Sequence, residues 1–138
     1  MSAVEALKFI KSGDTVTTSG FHGSCVAEDL IITLGKEYVK NQTPKDLTLV
    51  YCAGQGDFKT TGLSNLGHPG LVGKIIAGHF GGSPLLSRFV LDNKIQAYNF
   101  PQGVLSQMFR DIAAHKPRTI SAVGLGTFVD PRLQGGKV

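Results

Sequence analysis

A glutamine at the mouth of an amphipathic run is the first residue here with chemistry to offer. Gln102, between Pro101 and Gly103, opens the run that carries Val104, Leu105, Met108, Phe109 and Ile112. A glutamine at a helix start that faces a crevice both donates and accepts, so it can hold a substrate carboxylate or an acyl oxygen. An exposed first-turn residue fits the position equally well. The second such segment is Gly20-Phe21-His22-Gly23-Ser24-Cys25. Glycines between a strand and a helix let backbone approach a ligand, and free N–H groups there receive a carboxylate or phosphate. A plain connector is the other reading. Gly54-Gln55-Gly56 and Gly78-His79-Phe80-Gly81-Gly82 also follow β-rich runs. His79 reads either as a site residue at a strand end or as a packed, turn-bonding histidine.

Other chemistries are excluded by spacing. Gly124-x-Gly126 lacks the third glycine of a dinucleotide fingerprint, and Val129-Asp130-Pro131 follows where a helix should open. Gly136-Lys137 has Pro131 in place of the first glycine of a phosphate-binding loop and Val138 in place of Ser or Thr. His22, His68, His79 and His115 are far apart, and none has metal-ligand spacing with Cys25 or Cys52, so no metal site is expected. Cys25 is read as a buried structural thiol in preference to a nucleophile, since no base or acid is placed beside it. Cys52 ends an apolar strand and is expected in the core.

These segments need a scaffold, and the pattern supplies one. Ser2 caps a helix expected over residues 3–11. The β-branched run Thr15-Val16-Thr17-Thr18 is a strand. A helix over 24–40 follows from Val26, Leu30, Ile31, Leu34 and Tyr38, with Glu28 and Asp29 at its start and Lys36 and Lys40 at its end. Residues 47–52 form a buried strand, 54–70 a loop, and 75–77 a short strand. A helix over 83–93 is capped by Ser83 with Pro84 at its first position. A strand over 95–99, a helix over 101–116 and a last strand over 120–123 complete the order. Alternating strands and helices with short connections give an α/β protein: an open, mainly parallel sheet with helices on both faces. Sites in such sheets gather at the carboxyl ends of the strands. The glycine segments at 20–23, 54–56, 78–82 and 124–126 are all expected there.

Composition fits one domain or part of one. The 138 residues are 41% hydrophobic, which is enough for a core and argues against disorder. The net charge of +4 is dispersed: Lys36, Lys40 and Lys45 are interleaved with Glu37 and Asp46, as on a solvated surface rather than a nucleic-acid patch. No run reaches a membrane span, no signal peptide opens the chain, and the two cysteines suit a cytoplasmic protein with reduced thiols.

Taken in order, the segments resemble a known family. They are Gly13-Asp14-Thr15-Val16-Thr17-Thr18-Ser19-Gly20-Phe21, Tyr51-Cys52-Ala53-Gly54-Gln55-Gly56, Ala77-Gly78-His79-Phe80, Ala97-Tyr98-Asn99-Phe100-Pro101-Gln102-Gly103, and Gly124-Leu125-Gly126-Thr127-Phe128-Val129-Asp130-Pro131-Arg132 with Gly135-Gly136-Lys137. Nearly the whole chain resembles the amino-terminal part of the class I coenzyme A transferases. The type it is most similar to is the propionate or acetate (short-chain acyl-CoA:carboxylate) CoA-transferase.

The resemblance implies transfer of coenzyme A from an acyl-CoA to a carboxylate by a ping-pong route through a glutamyl-CoA thioester. It implies coenzyme A as a substrate, no permanently bound cofactor, a homo-oligomer, and no nucleic-acid or membrane partner. The family's glutamate lies in a carboxyl-terminal domain, so residues 1–138 are expected to be a partial amino-terminal domain with no catalytic residue of their own. Glu5, Glu28 and Glu37 match no nucleophile motif. By resemblance, Gln102 and Gly103 foremost, then Gly20, Phe21, Gly54, Gln55 and Gly56, form one wall of the substrate pocket. Ala27 stands where many relatives have proline before the glutamate, with little consequence expected. A non-catalytic binding or assembly module that pairs with a separate catalytic chain is the alternative. A partial sheet would also leave exposed edges and apolar faces.

Overall fold

The computed structural model describes residues 1–133 and 135–138. Four helices, four strands and one short 3-10 helix follow in the order α1 (Ala3–Leu7), β1 (Thr15–Thr17), α2 (Glu28–Asn41), β2 (Leu47–Tyr51), the 3-10 helix (Gly62–Leu66), β3 (Val72–Ala77), α3 (Pro84–Leu91), β4 (Gln96–Asn99) and α4 (Gln102–Ala113). The four strands form one sheet in sequential order, all parallel. Right-handed crossovers between sequential parallel strands place every connection on the same side of a sheet. Accordingly α2, the 3-10 helix and α3 share one face.

That front face holds the core. Val16, Leu49, Ile75 and Ala97 lie in register across the four strands. Leu49, Ile75 and Ala97 are essentially inaccessible, and they pack with Ile31, Leu34 and Tyr38 of α2, Leu63 and Leu66 of the 3-10 helix, and Leu86 and Val90 of α3. Each fully buried Leu or Ile contributes roughly 1.5–3 kcal/mol. Gly35 lets the 3-10 helix sit directly on α2: a Cβ there would collide with the backbone carbonyl of Asn65. Glu28 ties the same two elements, its carboxylate accepting from the Gly62 N–H at 2.9 and 3.0 Å.

The back face differs. Thr48, Lys74, Ile76 and Tyr98 remain half-exposed there, and Gln96 is exposed. α4 lies on this side, its Val104, Leu105 and Met108 facing Ile76, so helices do flank both faces. Only Leu105 and Asp111 of α4 are buried; Ile112, expected in its buried stripe, is 59% exposed.

Several expected elements are shorter. α1 ends at Leu7, although the Ser2 cap forms together with a reciprocal Glu5 bond. α2 starts at Glu28 because Cys25 turns left-handed (φ 57°) and Ala27 offers no side-chain cap. Ser83 precedes α3 without capping it; its hydroxyl donates instead to the Gln55 carbonyl at 3.1 Å. The expected loop 54–70 contains the 3-10 helix. The expected strand over 120–123 does not form. The free edge of β4 is already taken, since Asn99 N–H donates to Gly136 and Val138 N–H donates to Ala97. No helix among the described residues is long and apolar enough to cross a membrane.

Candidate functional site

The glycine segments gather at the carboxyl edge of the sheet, and the first three follow its strands directly, as parallel topology requires. The segment after β1 and the segment after β2 are stitched as a short parallel bridge. His22 N–H donates to Gly54, and Gly56 N–H donates to His22, each at 2.9 Å. His22 takes a left-handed conformation (φ 51°), and Gly20 just before it has φ 128°, which only glycine adopts readily. Phe21 is left standing in solvent at 58% exposure. Its ring meets His22 edge-on at 4.2 Å, and His22 in turn meets Phe58 at 5.1 Å.

The segment after β2 is closed by the segment after β3. Gly54, Gln55 and Gly56 are all buried. The His79 ring covers Gly54, where an added Cβ would lie 2.6 Å from its Cδ2. His79 itself is exposed, so of its two readings the structure gives the exposed strand-end position. Gln55 is 1% exposed; its amide nitrogen donates to the Thr18 carbonyl at 3.1 Å and its backbone carbonyl accepts from Ser83. Its Oε1 and the nearby Thr18 hydroxyl have no partner among the described residues. In this chain Gln55 is a strut between the ends of β1 and β2.

Gln102 reaches the same edge from the other side. It is exposed as the first residue of α4, and its Cγ lies over Gly78, where any Cβ would collide with it and with the Cys52 carbonyl. Gly78 is therefore what brings β2, β3 and the start of α4 together. Gly103 beside it is open, with nothing near the position of an added Cβ. A groove of about 580 Å³ runs from Thr17, Thr18, Ser19 and Gly20 past Cys52 to Phe109 of α4.

The fourth segment comes to this edge as well, at the carboxyl end of β4, although no strand leads into it. Gly124 packs beside Pro101, and Gly136 lies against the Asn99 carbonyl. Residues 124–132 are organised by Asp130, which is 2% exposed. Its carboxylate accepts from the Arg132 guanidinium, from Arg132 N–H at 2.9 Å and from Gly126 N–H at 2.7 Å. The Arg132 guanidinium, followed by those two backbone donors, holds this carboxyl well below the usual carboxylate range. The loop thus buttresses the junction of β4 and α4, where Gln102 begins.

Both cysteines depart from expectation. Cys25 is exposed in its left-handed turn rather than buried. Cys52 is half-buried and lines the groove rather than the core, because alternation along β2 sends it to the back face; burial pushes its thiol up. Sequence reasoning missed two contributors. Phe109 reads as core by periodicity, yet it lines the groove. Asp130 carried a signal in Asp130-Pro131-Arg132, a turn with an adjacent ion pair.

The three glutamates are all engaged in hydrogen bonds of the scaffold. Glu5 accepts from Ser2, Glu28 from Gly62 and Glu37 from Asn41. All three sit on the front-side helices, away from Gln102.

Comparison with known proteins places this geometry. The family model described as coenzyme A transferase matches residues 1–137. The chain is 45% identical over its full length to acetate CoA-transferase YdiF of Escherichia coli K12, covering 26% of that protein. It is 38% identical to caffeate CoA-transferase of Acetobacterium woodii, again over 26% of it. The crystal structure of an acyl-CoA transferase from E. coli O157:H7 as a thioester complex with CoA superposes with a TM-score of 0.96 over the whole chain and 28% of its own length. The chain thus spans about a quarter of the length of these relatives. It spans just over half of acetate CoA-transferase subunit alpha of E. coli K12, at 30% identity.

Proposed function

Because this chain belongs to the coenzyme A transferase family, we propose that it forms the amino-terminal portion of an enzyme that moves coenzyme A between a short-chain acyl-CoA, acetyl or propionyl, and a carboxylate. The transfer runs through a glutamyl-CoA thioester whose glutamate belongs to polypeptide outside residues 1–138. The observation that carries the reading is the convergence of Gln102, Gly78 and the stitched segments 20–22 and 54–56 at the carboxyl edge of a parallel sheet. The scaffold hydrogen bonds of Glu5, Glu28 and Glu37 support a nucleophile from elsewhere.

In this reading Gln102 donates its amide N–H to the oxyanion that forms when the thioester carbonyl is attacked. Such donors act in a preorganised, water-poor site and each is worth about 10²–10³ in rate. Gly103 leaves room for the acyl group, and Gly20 lets the loop after β1 close tightly on Val26 where it lines the groove. Phe21 supplies an apolar rim, and Gln55 with its two glycines holds the wall rigid. The relatives' names span acetate and caffeate, so the acyl preference is set by residues that differ among them.

The test uses a chimera in which residues 1–138 replace the matched region of the E. coli K12 relative. The chimera is expected to transfer CoA from acetyl-CoA or propionyl-CoA, and the 138-residue chain alone is not. Gln102→Ala should lower kcat of the chimera by about 10²-fold or more with a smaller change in KM. Turnover by the isolated chain would refute the external glutamate. An unchanged kcat for Gln102→Ala would remove that residue from the site.

A second reading is favoured by relatives named as subunits, such as the E. coli subunit alpha. There the chain is a non-catalytic module that pairs with a catalytic partner. Co-purification with a separately expressed remainder of the relative, with activity restored in trans, would support it.

A further inference from the structure

The front helices carry a pocket of about 400 Å³ that the proposed function does not use. α2, the loop after β2, the 3-10 helix and the start of α3 enclose it. Its walls are apolar, from Ile32 and Val39 of α2 and Leu85 of α3. Val39 is 57% exposed and Leu85 51%, so this apolar surface stands open to water. The charged lining is of one sign: Lys36, Lys59 and His68 contribute to it, and no Asp or Glu does. Neither lysine is in an ion pair among the described residues. The acids beside them in sequence are spent elsewhere. The Asp57 carboxylate accepts from the N–H groups of Lys59, Thr60 and Thr61 at 2.9, 2.8 and 3.0 Å, which also fixes the loop that presents Lys59. Glu37 accepts from Asn41. Ser64, at 4% exposure, lines the pocket too, and its buried hydroxyl has no partner among the described residues. A buried hydroxyl left in this way is an exception in folded proteins and calls for an acceptor.

We propose that this pocket is a binding site for a small carboxylate with an apolar chain. The chain lies against Ile32, Val39 and Leu85. The carboxylate meets the two ammonium groups, with the Ser64 hydroxyl as a further donor. The lining chooses this class of ligand. Two unpaired lysines and no acid repel a cation. A bare phosphate leaves the apolar walls wet, and an uncharged apolar ligand gives Ser64 no acceptor. An anion with a hydrocarbon tail satisfies both halves of the pocket. The inference goes beyond the proposed function. The pocket lies among the front helices, Gln102 opens the helix on the back, and binding here needs neither coenzyme A nor turnover.

The test titrates the 138-residue chain with sodium hexanoate, sodium acetate or inorganic phosphate while its amide resonances are followed. Hexanoate should shift Lys36, Ser64, Asn65 and Leu85 along one saturable curve, and residues 20–22 and 54–56 should not follow it. Acetate and phosphate should each bind at least about tenfold more weakly, since each lacks most of the apolar contact. The double variant Lys36→Ala/Lys59→Ala should weaken hexanoate by about tenfold, and Ser64→Ala by about threefold. Both lysines are exposed and the serine hydroxyl is unpartnered, so melting of these variants should match that of the parent. No saturation at tens of millimolar hexanoate would overturn the proposal, as would a double variant that binds as tightly as the parent. Phosphate binding equal to that of hexanoate would reject the apolar half of the site. Shifts that follow protein concentration without any ligand would give the pocket to a second copy and overturn the ligand named here. If the isolated chain does not stay in solution, the chimera is titrated in its place. Binding by the isolated chain that is lost in the chimera would show the pocket covered in the longer protein, and would also overturn the site. CoA transfer by the chimera without these shifts would remove the site and leave the functional reading standing. Shifts without transfer would do the reverse.

Discussion

The two faces of the sheet follow different rules. On the front, three consecutive crossovers lay α2, the 3-10 helix and α3 over a continuous row from Val16 to Ala97, and the buried residues there form one apolar cluster rimmed by partly buried side chains such as Leu7, Val26 and Phe89. On the back, one helix covers part of the surface and leaves a groove on each side, lined by Phe109 toward β1 and by Ile76 and Ile112 toward β4. The front is built for stability from local sequence. The back is built from polar ties, Asp111 to Lys116, Gln107 and Thr119, and Asp130 to Arg132. The candidate site lies where these two regimes meet, at the edge that a rigid front supports and an open back makes accessible.

That contrast breaks most easily at the core. Leu49→Ala, at a position 1% exposed, should cost about 2–5 kcal/mol in urea unfolding. Ile112→Ala on the back should cost less than about 0.5 kcal/mol in the isolated chain. Comparable losses would mean that the back is as fully packed as the front. A smaller effect sharpens the picture within the front. Glu28→Ala removes the carboxylate that accepts from Gly62 and should cost about 1.5 kcal/mol. The Gly62 amide should then exchange faster while amides of α4 stay unchanged.

The smallest effect is expected from acid, and it should be local to the back. Lys116, then Thr119 and Gln107, lower the Asp111 carboxyl, and Arg132 lowers that of Asp130. A carboxyl depressed in the folded state adds stability that is present above its unfolded pKa, near 3.9, and is lost as pH falls through its folded value. Nuclear magnetic resonance signals of Thr119 and Gly126 should therefore move below about pH 4, before those of Ile75. Simultaneous movement of all three would show that the back does not loosen independently.

Much of the scaffold was legible because it depends on neighbours in sequence. Helical spacing of Ile31, Leu34 and Tyr38 placed α2, and the apolar run from Leu47 placed β2. The convergence of the candidate segments was legible in outline. Glycine segments after β1, β2 and β3 do meet at one edge, and Gln102 does open α4 beside them. The solvent state of each residue was not legible. Gln55 and its glycines are buried while Phe21, Gln102 and His79 are exposed, because the loop after β3 folds over the loop after β2 and not over the others. The route to 124–126 was not legible either: no strand forms at 120–123, yet the segment still arrives beside Pro101 at the carboxyl end of β4.

The sequence by itself determined the alternation of strands and helices, the parallel sheet and the family, since periodicity, capping and ordered motifs are properties of the chain. Tertiary structure alone decided which face is sealed, which cysteine meets the groove and which β-branched segment stays outside the sheet. A strand's hydrogen bonds and a helix's apolar stripe are satisfied only by whatever lies next to them in space.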